Sequence, residues 1–246
     1  MTRLSESEVK ELVKDHYAEV ARGASSCCDD SCCTTETKLY ALEEVEGLPD
    51  EAVMASAGCG NPTAIGELNA GETVVDFGSG GGMDCFLAAK SVGPRGRVIG
   101  IDMTQEMIDL ARRNAKKVGA DNVEFHLAGI ENTPLEEACA DVILSNCVIC
   151  LAPDKDAVFA EAFRLLCNGG RLFVSDIVRA QQSTGEDEID EEHCTTCASP
   201  SDTKSTYLER LRRAGFTDIE VLSEISYDDP TAPVAVLSVN VTAHKS

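Results

Sequence analysis

The chain has 246 residues and carries 43 Asp plus Glu against 21 Lys plus Arg, a formal net charge of -22. A surface this negative repels phosphate backbones and anionic headgroups, so neither nucleic acid nor a membrane surface is an expected partner. The acids are dispersed rather than gathered in a tail, the pattern of a surface adapted to high salt, and a hydrophobic content of 43% suffices for one large α/β core.

In chain order, Ser5 and Glu8 match a capping box, and Val9, Leu12, Val13, His16, Tyr17 and Val20 follow at helical spacing, predicting a helix to about Ala21. The loop Gly23 to Thr35 is rich in Gly, Ser, Cys and Asp and holds Cys27, Cys28, Cys32 and Cys33. A short helix is expected from Pro49 to Gly58, before the turn-rich Gly58-Cys59-Gly60-Asn61-Pro62. Strands are then expected at Thr73 to Phe77, Arg97 to Ile101, Val123 to Leu127, Asp141 to Ser145 and Arg171 to Ser175. Between them fall helices at Gly81 to Val92, from a Thr104 cap to about Val118, and at Lys155 to Leu166. This alternation predicts an α/β, doubly wound, Rossmann-like parallel sheet. A polar, acidic insertion, Ala180 to Asp202, carries Cys194 and Cys197. A helix from Ser205 to Ala214 closes at Gly215, and Ile219 to Ile225 and Val234 to Thr242 should end the sheet as a hairpin-like edge. The expected organisation is an amino-terminal helical and Cys-rich segment (1–66), a cofactor-binding core (67–179) and a closing segment (180–246).

No apolar run reaches the roughly 18 residues of a spanning helix, and the charged, amphipathic amino terminus is unlike a signal peptide. A cytoplasmic location is expected, and in that reducing compartment twelve cysteines read as ligands or catalytic groups before disulfides.

The loop Asp76-Phe77-Gly78-Ser79-Gly80-Gly81-Gly82 joins the first strand to the first core helix, where open α/β sheets bind ligands. A dinucleotide fingerprint requires glycine at position 83, which is Met, and Asp76 suits a cationic ligand better than a pyrophosphate. Asp102 closes the second strand, where an acid accepts both ribose hydroxyls. Together these residues resemble the S-adenosylmethionine site of class I methyltransferases. The resemblance implies a cofactor site built from Asp76, Gly78, Ser79, Gly80, Gly82, Asp102, Met103, Ile130, Glu131 and Asn146, with Ile130 and Glu131 at the adenine and Ser145-Asn146-Cys147 at the methionine end.

Methyl transfer to oxygen or nitrogen usually needs a base, and none of the four His falls beside this site. Cysteines do: Cys147 and Cys150 after the fourth strand, Cys59 before the core, and Cys194 and Cys197 in the insertion. Thiols favour a soft, thiophilic acceptor. The segments Gly58-Cys59-Gly60-Asn61-Pro62, Val75-Asp76-Phe77-Gly78-Ser79-Gly80, Ile99-Gly100-Ile101-Asp102-Met103-Thr104 and Ser145-Asn146-Cys147-Val148-Ile149 look, in that order, like those of arsenite methyltransferases. That resemblance implies that Cys59, Cys147 and a thiol of the insertion, Cys197 before Cys194, bind trivalent arsenic, with Cys32 or Cys33 as a fourth functional cysteine. It also implies arsenite or its thiol conjugates as substrate, methylated arsenicals as product, detoxification as role, and a thiol reductant, glutathione or thioredoxin-like, as co-substrate. The chain departs from the family in lacking Trp altogether and the usual aromatic residue near the third cysteine.

Three other readings compete. Cys147-x-x-Cys150 and Cys194-x-x-Cys197 could close a Cys₄ zinc site. The chain could methylate a small organic acceptor with its cysteines incidental, or it could be a non-catalytic metalloid sink. Cys85, Cys139 and Cys167 read as structural thiols.

Overall fold

The computed structural model describes residues 4–23, 40, 45–56, 60–64, 66–180, 201–227 and 236–246. Seven strands form one sheet: β1 (Thr73–Phe77), β2 (Arg97–Asp102), β3 (Val123–Leu127), β4 (Ala140–Asn146), β5 (Leu166–Arg179), β6 (Thr217–Tyr227) and β7 (Val236–His244). Their order is β3-β2-β1-β4-β5-β7-β6. The first five are parallel, and β7 is antiparallel to both neighbours.

The central strands are largely apolar on both faces because both faces are covered, with Asp76 the polar residue inside β1. Val75 and Phe77 of β1 join Ile99, Ile101 and Ile143 in one core, while Val74 joins Val98, Val142 and Leu144 in the other. Helices α3 (Met83–Val92) and α4 (Gln105–Val118) cover the second face through Phe86, Ala88, Val92, Ile108 and Ala111. Helices α5 (Lys155–Leu165) and α6 (Lys204–Ala214) cover the first through Val158, Phe159, Leu165, Tyr207 and Leu211. Each fully buried aliphatic side chain contributes roughly 1.5–3 kcal/mol, which makes this double layer the principal source of stability.

Two helices precede the sheet, α1 (Glu6–Ala21) and the one-turn α2 (Asp50–Met54). The capping box of α1 is present, with Ser5 Oγ accepting from Glu8 N–H while the Glu8 carboxylate accepts from Ser5 N–H. Val9 and Val13 pack onto Cys147, Cys150 and Leu151, and Val20 packs with Ala55, Met107 and Leu110. The amino-terminal helix therefore roofs the carboxyl ends of the strands.

Several boundaries differ from the expectation. Helix α3 starts at Met83 rather than Gly81, because Gly82 holds φ +93° and cannot begin a right-handed turn. Strand β5 runs over 14 residues, since it pairs with β4 on one side and, from Arg171 to Arg179, with β7 on the other. The closing pair is antiparallel as expected, so the whole sheet is mixed, and the later strand takes the inner position. Val239, Val241 and Ala243 of β7 are buried, whereas Leu222 and Ile225 leave β6 half exposed, and the more apolar strand goes inside. Short 3-10 turns at Pro62–Ala64 and Ile149–Leu151 were not legible in the sequence. The Cys-rich loop and most of the insertion, 181–200, lie outside the described residues.

Candidate active site

The chain crosses from one side of β1 to the other between β1 and β4, the switch point at which open sheets bind ligands. The glycine loop leaves β1 there and is fastened to β2: Gly78 and Ser79 N–H both donate to Ile101 O, at 2.8 and 2.9 Å. Gly78 holds φ +72°, and a Cβ on it would come within 2.6 Å of Val148 Cγ2. The Asp102 carboxylate accepts from Gly80 N–H at 3.0 Å and from Thr104 N–H at 2.8 Å, so loop and acid form one rigid unit.

An open cavity lies above this unit. Gly78, Ser79, Gly80, Asp102, Met103, Ile130, Glu131 and Asn146 line it, with Lys10, Val13 and Tyr17 of α1 as its roof. Glu131 is ion-paired with Lys10. The two remaining expected cofactor residues, Asp76 and Gly82, lie outside the lining: Asp76 is buried behind the loop, where its carboxylate accepts from the Cys85 thiol at 3.1 Å. A third acid in the lining beside Asp102 and Glu131 is Asp84, in the first turn of α3, which the sequence reading missed. The available signal was an acid immediately after a glycine loop, at a positively polarised helix start. Asp84 accepts from Tyr40 O–H at 2.6 Å and from Asn146 Nδ2 at 3.1 Å.

Burial raises the pKa of Asp76, Asp84 and Asp102. Asp76 lies well above the usual carboxylate range, because it is buried and because Asp84 is beside it. Asp84 is raised by burial against the hydrogen bonds from Tyr40 and Asn146, and Asp102 by burial against those from Thr104 and Gly80. All of these donors are neutral, so a cationic ligand would relieve the site. Asn146 Oδ1 and Ser79 Oγ are buried without a hydrogen-bond partner among the described residues. Each unmet buried group costs about 1–3 kcal/mol, which a polar ligand in the cavity would recover. A molecule with a ribose, a cationic centre and an ammonium fits this donor set.

At the end of β4 the backbone turns outward at Cys147, whose φ is +54° and whose N–H donates to Ser175 O at 2.8 Å. Only Gly, Asn and Asp adopt that conformation readily, so the position is strained. Cys147 is 2% exposed, forms part of the cavity lining and is disulfide-bonded, while Cys85, Cys139, Cys150 and Cys167 are thiols. Of the suspected zinc set, Cys147 and Cys150 come together, and Asp176, which was not in that set, joins them: one ligand atom from each lies within 4.8 Å of the others, all buried. Asp176 Oδ2 accepts from Cys150 N–H at 3.0 Å and from Tyr207 O–H at 3.1 Å, and Oδ1 from Ile177 N–H at 2.9 Å. The pair Cys194 and Cys197 and the residues Cys32, Cys33 and Cys59 lie outside the described residues. Cys85 is the buried structural thiol expected of it.

Residues 68–215 match the family described as a methyltransferase domain, Methyltransf_31. The chain belongs to this methyltransferase domain family. It is 40% identical over 230 residues to the arsenite methyltransferase of Halobacterium salinarum, a match covering 87% of this chain and 59% of that protein. The arsenite methyltransferase of Homo sapiens is 31% identical over 188 residues, covering 72% of this chain and 50% of that protein. The chain thus spans only about half to two thirds of the length of the curated relatives it matches. Among solved structures, that of CrArsM, an arsenic(III) S-adenosylmethionine methyltransferase from Chlamydomonas reinhardtii, superposes with a TM-score of 0.73 at 28% identity, covering 82% of this chain and 72% of that one.

Proposed function

We propose that this methyltransferase transfers methyl groups from S-adenosylmethionine to trivalent arsenic held by protein thiolates, giving methylated arsenicals in arsenic detoxification. The observation that carries the reading is that Cys147 stands in the wall of the same cavity as Asp102 and the glycine loop. The similarity to arsenite methyltransferases supports the choice of acceptor.

Asp102 would hold the ribose, Met103 and Ile130 the adenine faces, the Gly78–Gly80 backbone the linking carbons, and Asn146 with Asp84 the methionine end. When bound, S-adenosylmethionine supplies a sulfonium-activated methyl group. On the acceptor side, Cys147 with Cys59 and Cys197, or Cys194 in its stead, hold the arsenic, and Cys32 or Cys33 assists its capture. Arsenic bound to three thiolates keeps a lone pair, so it attacks carbon without a proton acceptor, and the set of thiols fixes its direction. The burial of Cys147 excludes water from the reacting atoms. Because Cys147 is disulfide-bonded, its thiolate forms only after a two-electron reduction, which supports a thiol reductant such as glutathione or a thioredoxin-like protein as partner. The same requirement favours the cytoplasm, and no helix among the described residues is long and apolar enough to cross a membrane. The division into 1–66 for substrate capture, 67–179 for the cofactor and 180–246 for closure belongs to this reading.

The test is incubation with arsenite, S-adenosylmethionine and glutathione at high salt, with arsenic species separated by chromatography. Methylated arsenic is expected from the unaltered chain. Cys147→Ser should lose at least 100-fold in rate while binding S-adenosylmethionine within about twofold. Absence of any methylated product from the unaltered chain would overturn the reading.

A further inference from the structure

Cys150, Asp176 and Tyr207 do not line the cavity and take no part in the reaction described above, yet all three are fully buried behind Cys147. One ligand atom each from Cys147, Cys150 and Asp176 lies within 4.8 Å of the other two. Strands β4 and β5 are neighbours, with Asn146 opposite Ser175, and the 3-10 turn Ile149–Leu151 folds Cys150 back towards Asp176. A tetrahedral zinc ion, with bonds of about 2.3 Å to sulfur and about 2.1 Å to oxygen, holds its ligand atoms about 3.6–3.8 Å apart. The three groups therefore close on such an ion by about 1 Å of movement.

The carboxylate is already held as a ligand would be. Asp176 Oδ2 accepts from Cys150 N–H at 3.0 Å and Tyr207 O–H at 3.1 Å, and Oδ1 from Ile177 N–H at 2.9 Å. These donors orient it in the manner of the outer-shell partners of a ligating acid. Asp176 also accepts from the Cys150 thiol, and that proton leaves when the thiol becomes a thiolate, which frees a lone pair between sulfur and oxygen for a metal. Two thiolates and a carboxylate carry one negative charge more than a divalent ion neutralises. The buried Lys155 ammonium, fixed by donating to Ala152 O at 2.8 Å and acting on both Asp176 and Cys150, offsets it. Two soft sulfurs with one oxygen suit zinc, whereas calcium and magnesium take oxygen alone.

We infer that Cys147, Cys150 and Asp176 form a binding site for divalent zinc, available in the reduced protein and blocked while Cys147 is disulfide-bonded. The fourth place of the tetrahedron falls to water or to a thiol such as the one released from Cys147. Zinc and arsenite exclude one another here because both need the sulfur of Cys147; that consequence rests on the proposed function, whereas zinc binding does not. A phosphine opens the disulfide, becoming a phosphine oxide with oxygen from water, while the two sulfurs take up two electrons and two protons. Zinc then replaces the thiol protons of Cys147 and Cys150. Two S–H bonds break, two Zn–S bonds and one Zn–O bond form, two protons pass to solvent, and zinc stays divalent.

The full-length chain, reduced with a phosphine and freed of it without air, is titrated with Zn²⁺ against a chromogenic chelator and, in parallel, with Co²⁺ as a spectroscopic substitute. The expected result is a tetrahedral cobalt spectrum with thiolate charge-transfer bands. One zinc equivalent should bind at least about tenfold more weakly in both Cys150→Ser and Asp176→Asn, and should be missing from the oxidised chain. Asp176→Asn keeps both thiolates, so its charge-transfer bands persist at saturation. An octahedral cobalt spectrum of the unaltered chain, or a zinc affinity unchanged in either variant, overturns the inference, since the ion then sits elsewhere. The readout needs no turnover. A chain that methylates no arsenite can still bind zinc here, and one that methylates arsenite can lack this site, so failure here is distinct from failure of the proposed function.

Discussion

Asn146 Nδ2 donates to Asp84 Oδ2 across 3.1 Å, tying the end of β4 to the first turn of α3. The same amide nitrogen reaches Tyr40 Oη at 2.9 Å and Gly60 O at 3.1 Å, so one side chain gathers four segments at the methionine end of the cavity. Asn146→Ala removes these bonds together with the partnerless Oδ1. At about 1–3 kcal/mol for the lost polar contacts, affinity for S-adenosylmethionine should fall roughly tenfold or more. Calorimetric titration checks this, and an unchanged dissociation constant would show that Asn146 does not touch the ligand.

The buried acids set a pH dependence. Asp76 in the fold holds its proton more tightly than in the unfolded chain, where its pKa is about 3.9. The folded state then binds more protons, so stability is greatest below the unfolded value and falls as pH rises from about 4 through the raised folded value. Asp76→Asn removes that dependence. Urea unfolding of the unliganded variant between pH 4 and 7 should give a shallower decline than the unaltered chain. Stabilisation by a cationic ligand should grow over the same interval, as the carboxylates ionise.

Gly78 separates two costs. Gly78→Ala meets Val148 Cγ2 at 2.6 Å and places a side chain at φ +72°. Val148→Gly removes the whole clash, including the contact with Val148 Cβ at 2.7 Å, but not the backbone strain of about 1 kcal/mol. The double variant should therefore recover part of the lost stability and cofactor affinity and remain below Val148→Gly alone. Thermal unfolding of the three variants measures both parts, and full recovery would place the whole cost in the clash.

The charge of -22 makes salt a structural variable. Raising ionic strength from 0.1 to 1 M shortens the screening length from about 10 to about 3 Å, which suppresses repulsion among the surface acids. If this returns about 2 kcal/mol, the melting temperature should rise by about 4–8 °C. Scanning calorimetry in potassium chloride tests it; a flat response would contradict a surface adapted to salt.

The first five strands were legible as short apolar runs bounded by turn residues, the mark of strands covered on both faces, and their helices by the 3.6-residue period of one buried face. Asp102 and Asn146 could be placed because each is the last residue of its strand, and Ile130 because it lies three residues past the end of β3. Asp84 was not, since its role depends on Tyr40, 44 residues earlier, and on Asn146. Asp76 stays behind the lining for the complementary reason: one position before Phe77, it alternates to the face that holds Cys85 and Asp84. Cys147-x-x-Cys150 was visible as a local pair, but nothing local announces that Asp176 joins it, which requires β4 and β5 to be adjacent.

The placement of β7 between β5 and β6 has a consequence for synthesis. Residues 236–244 cover the edge of β5 from Arg171 to Arg179, so that edge stays open while more than sixty further residues are made. At about 5–20 residues per second the nascent chain exposes an unpaired strand edge for several seconds. Translation speed through this stretch thus governs how long the emerging chain must be kept from its neighbours.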